Sequence, residues 1–379
     1  HIGNHRKRAS MYKKIFTMKI VTVVGARPQF IKAALITESI EKSKRLKPRI
    51  MEVLVNTGQH YDYNMSKKFF EELNLKMPDY ELNINSPSSL NQLTRMIHKL
   101  KLVFKKEKPG FVMVYGDTNT TLAGALAANK LHIPICHIEA GLRSYDKSMP
   151  EEINRLLTDH ISSLLFCPTT GAVKNLRKEN IKTGIHLVGD IMYELSAKMI
   201  KLASSKSKIL DVLGLKSKKY ILATVHRESN TDAKSKLQSV IRAFGCIENN
   251  IVFPLHPRTR KMLIKYGLMD GLARARNVKV IEPLGYMDMI CLEKNACKII
   301  TDSGGIQKES YFFKVPCLTL RDNTEWSETL NNGWNILVGT GSEKIVAEAH
   351  NNKSPGRYVN YYGDGNTSTK IIEVLKGMV

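Results

Sequence analysis

Short runs of β-branched and other apolar residues recur along this chain, each closed by a glycine-containing or polar turn and most followed by a segment with helical spacing. That alternation constrains the fold more than any other feature. A parallel strand cannot reach its neighbour through a tight turn, so repeated strand, turn and helix units imply parallel sheets with helices packed on their faces. Met18 to Val24 is the first run, followed by Gly25-Ala26-Arg27-Pro28-Gln29 and a helical face built on Ile31, Ala34 and Leu35. Further strands are expected at Met51 to Asn56, Phe111 to Tyr115, Ile135 to Ile138, Leu164 to Cys167 and Ile185 to Val188. A Lys- and Ser-rich stretch from Lys201 to Lys219 interrupts the series. It restarts with Tyr220 to Val225, Ile251 to Leu255, Val278 to Ile281, Cys297 to Ile300 and Cys317 to Leu320. The expected fold class is α/β, with two doubly wound Rossmann-like domains facing a cleft.

A length of 379 residues agrees with two domains, since one core rarely serves a chain that long. Residues 1–17 are expected to be a leader or expression remnant, 18–200 an N-terminal Rossmann-like domain, 201–365 a C-terminal Rossmann-like domain and 366–379 a terminal helix belonging to either lobe. The formal charge of +23 comes from 58 Lys and Arg against 35 Asp and Glu. Because the lysines are spread over surface-type positions without interleaved aromatics, they read as solvated faces and not as a nucleic-acid footprint. No run approaches the roughly 20 apolar residues of a membrane span. Six cysteines without CxxC spacing read as reduced core residues of a cytoplasmic protein. The loop after the first strand lacks the GxGxxG fingerprint, and no metal-type cluster is visible, so neither a nicotinamide cofactor nor a metal is expected.

The polar signatures gather where strands end, which is where open α/β sheets place ligands. Arg27 follows the first strand and is a candidate phosphate contact. Asp117 follows Phe111 to Tyr115. Glu139 and Arg143 follow Ile135 to Ile138, and Glu151 opens the helix that begins at Pro150. In the second half, His226, His256 and Arg321 occupy corresponding places. Thr301-Asp302-Ser303-Gly304-Gly305 turns a strand into a helix, exposing backbone N–H groups with the helix dipole behind them, and suits a diphosphate.

Taken together, GARPQFIK at Gly25, GDTNTTLAGALAA at Gly116, HIEAGLRS at His137, PEEINR at Pro150, LHPRT at Leu255, TDSGGIQKE at Thr301, LRDNTEW at Leu320, NILVG at Asn335 and YGDG at Tyr362 resemble the non-hydrolysing UDP-N-acetylglucosamine 2-epimerases. The resemblance covers essentially the whole chain after Met18 and implies a GT-B-like fold. It further implies that Asp117, Glu139 and Glu151 form a carboxylate cluster at the sugar, with His226 across the cleft. Arg27 and the Ser303-Gly304-Gly305 turn would hold the diphosphate, and Glu309 the ribose hydroxyls, while Arg143, His256 and Arg321 are further cleft candidates. A homodimer is implied, as is a UDP-activated N-acetylhexosamine as substrate.

The residue types suit such an isomerisation. The C2 hydrogen of an N-acetylhexosamine is not beside a carbonyl, so a base cannot simply remove it. Breaking the C1–oxygen bond to UDP first makes C2–H acidic, and a glycal forms that can be reprotonated from the other face as UDP returns. Asp117 and Glu151 are read as the proton-transfer pair with Glu139 assisting, and crowding of like charges is expected to raise at least one carboxyl pKa. Gln29 in place of a glutamate, Gly58-Gln59-His60-Tyr61-Asp62 without a following arginine, Val225-His226-Arg227-Glu228, and Glu325-Trp326 depart from the commonest family pattern. They also resemble the branch acting on UDP-2,3-diacetamido-2,3-dideoxyglucuronate in surface-polysaccharide synthesis, and more loosely the branch making UDP-N-acetylfucosamine, while the main expectation is interconversion of UDP-N-acetylglucosamine and UDP-N-acetylmannosamine. A GT-B glycosyltransferase is the rival from another class.

Overall fold

The computed structural model of the chain describes residues 17–43, 49–58, 76–86 and 88–378, without the side chain of Arg27. The first of its two parallel sheets contains β1 (Thr17–Val24), β2 (Arg49–Asn56), β3 (Tyr80–Glu81), β4 (Phe111–Tyr115), β5 (Ile135–Ile138), β6 (Leu164–Cys167) and β7 (Ile185–Leu187), in the order β3-β2-β1-β4-β5-β6-β7. The second contains β8 (Ile221–Thr224), β9 (Ile251–Pro254), β10 (Val278–Ile281), β11 (Lys298–Thr301), β12 (Cys317–Thr319) and β13 (Asn335–Leu337), in the order β10-β9-β8-β11-β12-β13. The doubly wound α/β expectation therefore holds in both halves. Strands β3 and β13 escape a periodicity reading because edge strands of two and three residues are too short to display one.

β1 illustrates why the sequence folds this way. Helices cover both faces of a parallel sheet, so its strands need apolar residues throughout. Ile20, Val21, Val23 and Val24 are each fully buried, and each contributes roughly 1.5–3 kcal/mol of burial. The Lys- and Ser-rich stretch is largely helical, as Ile191–Lys206 and Ile209–Leu213. Its buried Ala203 and Ile209, with Met199 on the turn before it, give it an inner face, and the lysines project outward from it. Helix Ile191–Lys206 packs on helix Tyr286–Asn295, and one apolar core runs from Ile20 and Ile138 through Leu195 and Ile290 to Leu222 and Ile299. The terminal helix Thr367–Lys376 packs on the first lobe. The Ser39 hydroxyl donates to the Ser368 hydroxyl at 2.8 Å, and the N–H and hydroxyl of Ser368 donate to Glu194 at 2.8 and 2.7 Å.

Strand order reverses between β1 and β4 in the first sheet, and between β8 and β11 in the second. At such switch points the flanking loops part and leave a crevice at the carboxyl ends of the strands. The loops concerned are Gly25–Arg27 and Gly116–Asp117 in one lobe, and His226–Arg227 and Asp302–Ser303 in the other. Most of the cysteines are buried, but Cys246 is exposed, so the expectation that all six are core residues fails there.

Candidate active site

In the first lobe, Gln29 closes the switch point. Its side-chain oxygen accepts from the N–H groups of Gly25 and Ala26 at 2.9 and 3.0 Å, and its amide nitrogen donates to the Tyr115 carbonyl at 2.9 Å and to Thr118 and Thr121 at 3.0 Å. An amide both donates and accepts, which a glutamate at this position would not do. Arg27 opens the helix Arg27–Ser43, but its side chain is not described. Gln59 to Asp62 lie outside the described residues.

Helix Asn119–Asn129 is capped by Thr118 in a capping box with Thr121, so Asp117 is not the cap. The Asp117 carboxylate instead pairs with Arg155, whose other terminal nitrogen reaches Glu152 at 2.6 Å. Glu152, which accepts from the N–H groups of Ser144 and Tyr145 at 2.9 Å, ties the preceding loop to helix Pro150–Ile161. Glu151 is exposed, one helical turn before Arg155 and on the same face.

Glu139 holds a left-handed backbone conformation, φ 69°, which a non-glycine residue adopts only when its surroundings enforce it. Those surroundings centre on Asp159. It lies 2.7 Å from Nδ1 of the buried His137 and accepts from the Gly141 N–H at 3.0 Å and from Arg143 Nη1 at 2.7 Å. The other His137 nitrogen donates to the Gly116 carbonyl at 2.7 Å. Arg143 is thereby consumed: its Nε and Nη2 donate to Glu179, both at 2.7 Å, and its side chain is 1% exposed. It shapes the turn carrying Glu139 and does not stand free in the cleft, contrary to the sequence expectation.

Like-charge crowding does not describe Glu139 either. Burial alone would push its carboxyl up, but the ammonium groups of Lys308 and Lys32 outweigh burial and hold it at about 2. Lys308 comes from the second lobe and lies 3.0 Å from Glu139 and 2.6 Å from Asp190, the N-cap of helix Ile191–Lys206. The carboxyl pushed upward is Glu309, raised to about 7 by burial against the opposing hydrogen bond from the Tyr286 hydroxyl at 2.7 Å. Glu293 beside it is raised too, first by burial and then by the Glu309 charge.

In the second lobe, Asp302 is fully buried and places His226. Its carboxylate accepts from the N–H groups of His226 and Arg227 at 3.0 Å and from the Asn230 side chain at 3.2 Å, and it lies 3.5 Å from His226 Nδ1. The rings of His226 and His256 are 5.3 Å apart. Ser303 caps helix Gly304–Phe312 by accepting from the Ile306 N–H, and Gly305 is exposed. Gly304 is required by close approach, because a Cβ there would lie 2.7 Å from the Glu325 carboxylate and 3.3 Å from Trp326 Nε1. Arg321 lies 2.9 Å from Glu325, and Arg227 3.9 Å.

Near this turn, Arg321 Nη1, Gln307 Nε2 and Trp326 Nε1 are buried donors, and Glu325 Oε2 a buried acceptor, with no hydrogen-bond partner among the described residues. Buried donors left without acceptors cost free energy, and an anionic ligand supplies acceptors. A Gly304→Ala substitution is therefore expected to weaken inorganic pyrophosphate binding at least tenfold, read by calorimetry, because the new methyl displaces Glu325 at the turn.

The two lobes thus meet at Glu139, which Lys308 reaches at 3.0 Å, and at Asp146, which accepts from Asn323 at 3.3 Å, while Arg143 is held by Asp159 and Glu179. Sequence reasoning missed Lys32, Arg155, Asp190, Asp302 and Lys308. Lys32 and Arg155 lie within the GARPQFIK and PEEINR stretches, one helical turn beyond Pro28 and Glu151, a spacing that could have drawn attention to them. Lys308 likewise lies within the TDSGGIQKE stretch, one helical turn beyond Gly304, but nothing local marks its partners, which are 169 and 118 positions away.

A family model described as UDP-N-acetylglucosamine 2-epimerase matches residues 42–376. The chain is 54% identical over 363 residues to a Methanococcus maripaludis protein named UDP-N-acetylglucosamine 2-epimerase homolog, covering 95% of this chain and 100% of that one. It is 46% identical to the UDP-2,3-diacetamido-2,3-dideoxy-D-glucuronate 2-epimerase of Pseudomonas aeruginosa, covering 94% and 99%. The crystal structure of Methanocaldococcus jannaschii UDP-GlcNAc 2-epimerase in complex with UDP-GlcNAc and UDP superposes with a TM-score of 0.86 at 43% identity, covering 96% of this chain and 100% of that one.

Proposed function

The chain belongs to the UDP-N-acetylglucosamine 2-epimerase family, and from that premise we infer that it is an isomerase inverting C2 of UDP-N-acetylglucosamine or a close 2-acetamido UDP-sugar, without net hydrolysis. The observation that supports the reading is the meeting of the two lobes at Glu139, which Lys308, on the helix that begins at the Ser303 turn, reaches at 3.0 Å. On this reading the first lobe offers the Asp117 and Glu139 carboxylates to the sugar, and the second offers the Ser303 turn with Arg321 to the diphosphate.

The second lobe takes the UDP. Backbone N–H groups at Ser303-Gly304-Gly305, with Arg27 and His226, stabilise the diphosphate as the C1–oxygen bond breaks, and Glu309 accepts from the ribose hydroxyls. In the first lobe, one carboxylate of the Asp117 and Glu151 pair removes the C2 proton to give the glycal, and the other returns a proton to the opposite face. UDP then re-adds at C1. Glu139 stays ionised and orients the sugar. Closure of the lobes keeps the glycal from water. Nothing in this sequence of steps calls for a metal or a nicotinamide. A cytoplasmic homodimer serving polysaccharide synthesis is the setting we propose.

Incubation in deuterated water with UDP-N-acetylglucosamine, and separately with the diacetamido-glucuronate nucleotide, tests this. The 46% identity to the diacetamido-glucuronate epimerase motivates the second arm. Deuterium at C2 with inversion, and no accumulation of free UDP, is expected with at least one substrate. Free UDP with N-acetylmannosamine would identify a hydrolysing enzyme, and inertness without an acceptor would identify a transferase.

A further inference from the structure

Lys308 lies on the helix whose first turn is the proposed diphosphate grip, yet its ammonium lies in the other lobe's territory. It is 2% exposed, 3.0 Å from Glu139 and 2.6 Å from Asp190, and 3.8 Å from the centre of the Trp326 ring. Trp326, one of the departures from the common family pattern, therefore forms one wall of the ammonium's site. A cation taken out of water is tolerated only when opposite charge and an aromatic face replace its hydration. Both are present here, supplied by the two lobes together. The other charged groups facing this cluster are Lys32 from helix Arg27–Ser43, which pairs with the second oxygen of Glu139, and Glu309 on the same helix as Lys308.

We propose that Lys308 is an interlobe positioning residue that ties the diphosphate-binding helix to Glu139, so that lobe closure on UDP sets the orientation and charge of that carboxylate. The proposal rests on the epimerase reading above and deepens it. A motion that carried helix Gly304–Phe312 away from the first lobe would take Lys308 from Glu139 and leave that carboxylate to Lys32. Glu139 therefore keeps both of its cations only while the two lobes stay together. A link of this kind keeps the elimination step from running in an open cleft, from which the glycal would escape.

The test follows C2 deuterium exchange and free UDP together across pH, in wild type, Lys308→Met, Lys308→Arg and a Lys308→Met/Asp190→Asn pair. The Met variant is expected to lose roughly 100-fold in kcat, as misplaced reacting groups do, with KM little changed. A larger share of its turnovers should end in free UDP and glycal. The acid limb of its pH profile should move up by about one unit or more, because Glu139 loses an opposite charge at contact distance. The Arg variant should recover part of both effects. In the double variant, no Asp190 charge is left unpaired, so the defect can be read even if the single variant does not fold. Folded variants with the wild-type acid limb and wild-type product partition would make Lys308 a structural strut and overturn the proposal alone. A wild type that exchanges no deuterium with either substrate overturns the epimerase reading, and this proposal with it.

Discussion

Asp117→Asn and Glu151→Gln are each expected to slow exchange of solvent deuterium into C2 by roughly 10²–10⁴-fold, the range that general acid–base groups supply, while UDP affinity measured by calorimetry stays close to wild type. The two variants differ in their structural cost. Asn at position 117 still accepts from Arg155 but removes the charge that Arg155 pairs with. Glu151 is exposed, so its replacement should leave stability within about 0.5 kcal/mol and isolate the chemical effect. Near-normal exchange in both variants would remove the pair from the mechanism and move the proton transfers to Glu139.

Glu139→Gln should combine a catalytic loss with the largest loss of stability at the site. The substitution leaves Lys308 and Lys32 around a neutral amide in a buried place. Uncovering a buried charge in this way costs about 3–5 kcal/mol, readable as a lower urea midpoint. Acid gives a second readout. The Glu139 carboxyl is held at about 2 in the folded chain against an ordinary value of 4.5. Its contribution is therefore complete above pH 4.5 and is lost as pH falls toward 2. Between those values the wild-type stability curve should descend more steeply than that of the Gln variant. Equal slopes would mean that the lysines do not hold Glu139 as the geometry implies.

Gln29 shows where sequence and structure divide the work. The sequence marks it as unusual, since a glutamate is the common residue there. The structure gives the reason: the same side chain must accept from Gly25 and Ala26 and donate to the Tyr115 carbonyl. Arg143 shows the opposite case. An arginine beside Glu139 reads as a ligand contact from its place in the chain, yet Asp159 and Glu179 occupy it. Three carboxylates gathered at strand ends read as a repelling cluster, yet Glu139 and Asp117 are each matched to lysine or arginine from elsewhere.

The sequence by itself determined the two parallel sheets, the strand ends where polar residues gather and the strand-to-helix turn at Ser303. Each of these follows from neighbours within a few residues, through side-chain periodicity, turn chemistry and free N–H groups at a helix start. The tertiary structure alone decided the charge state of the site. Whether a carboxylate is crowded by like charge or held by a lysine depends on which distant segments fold against it. Lys308 reaches Glu139 only because the two lobes close on one another, and nothing local to either residue encodes that contact.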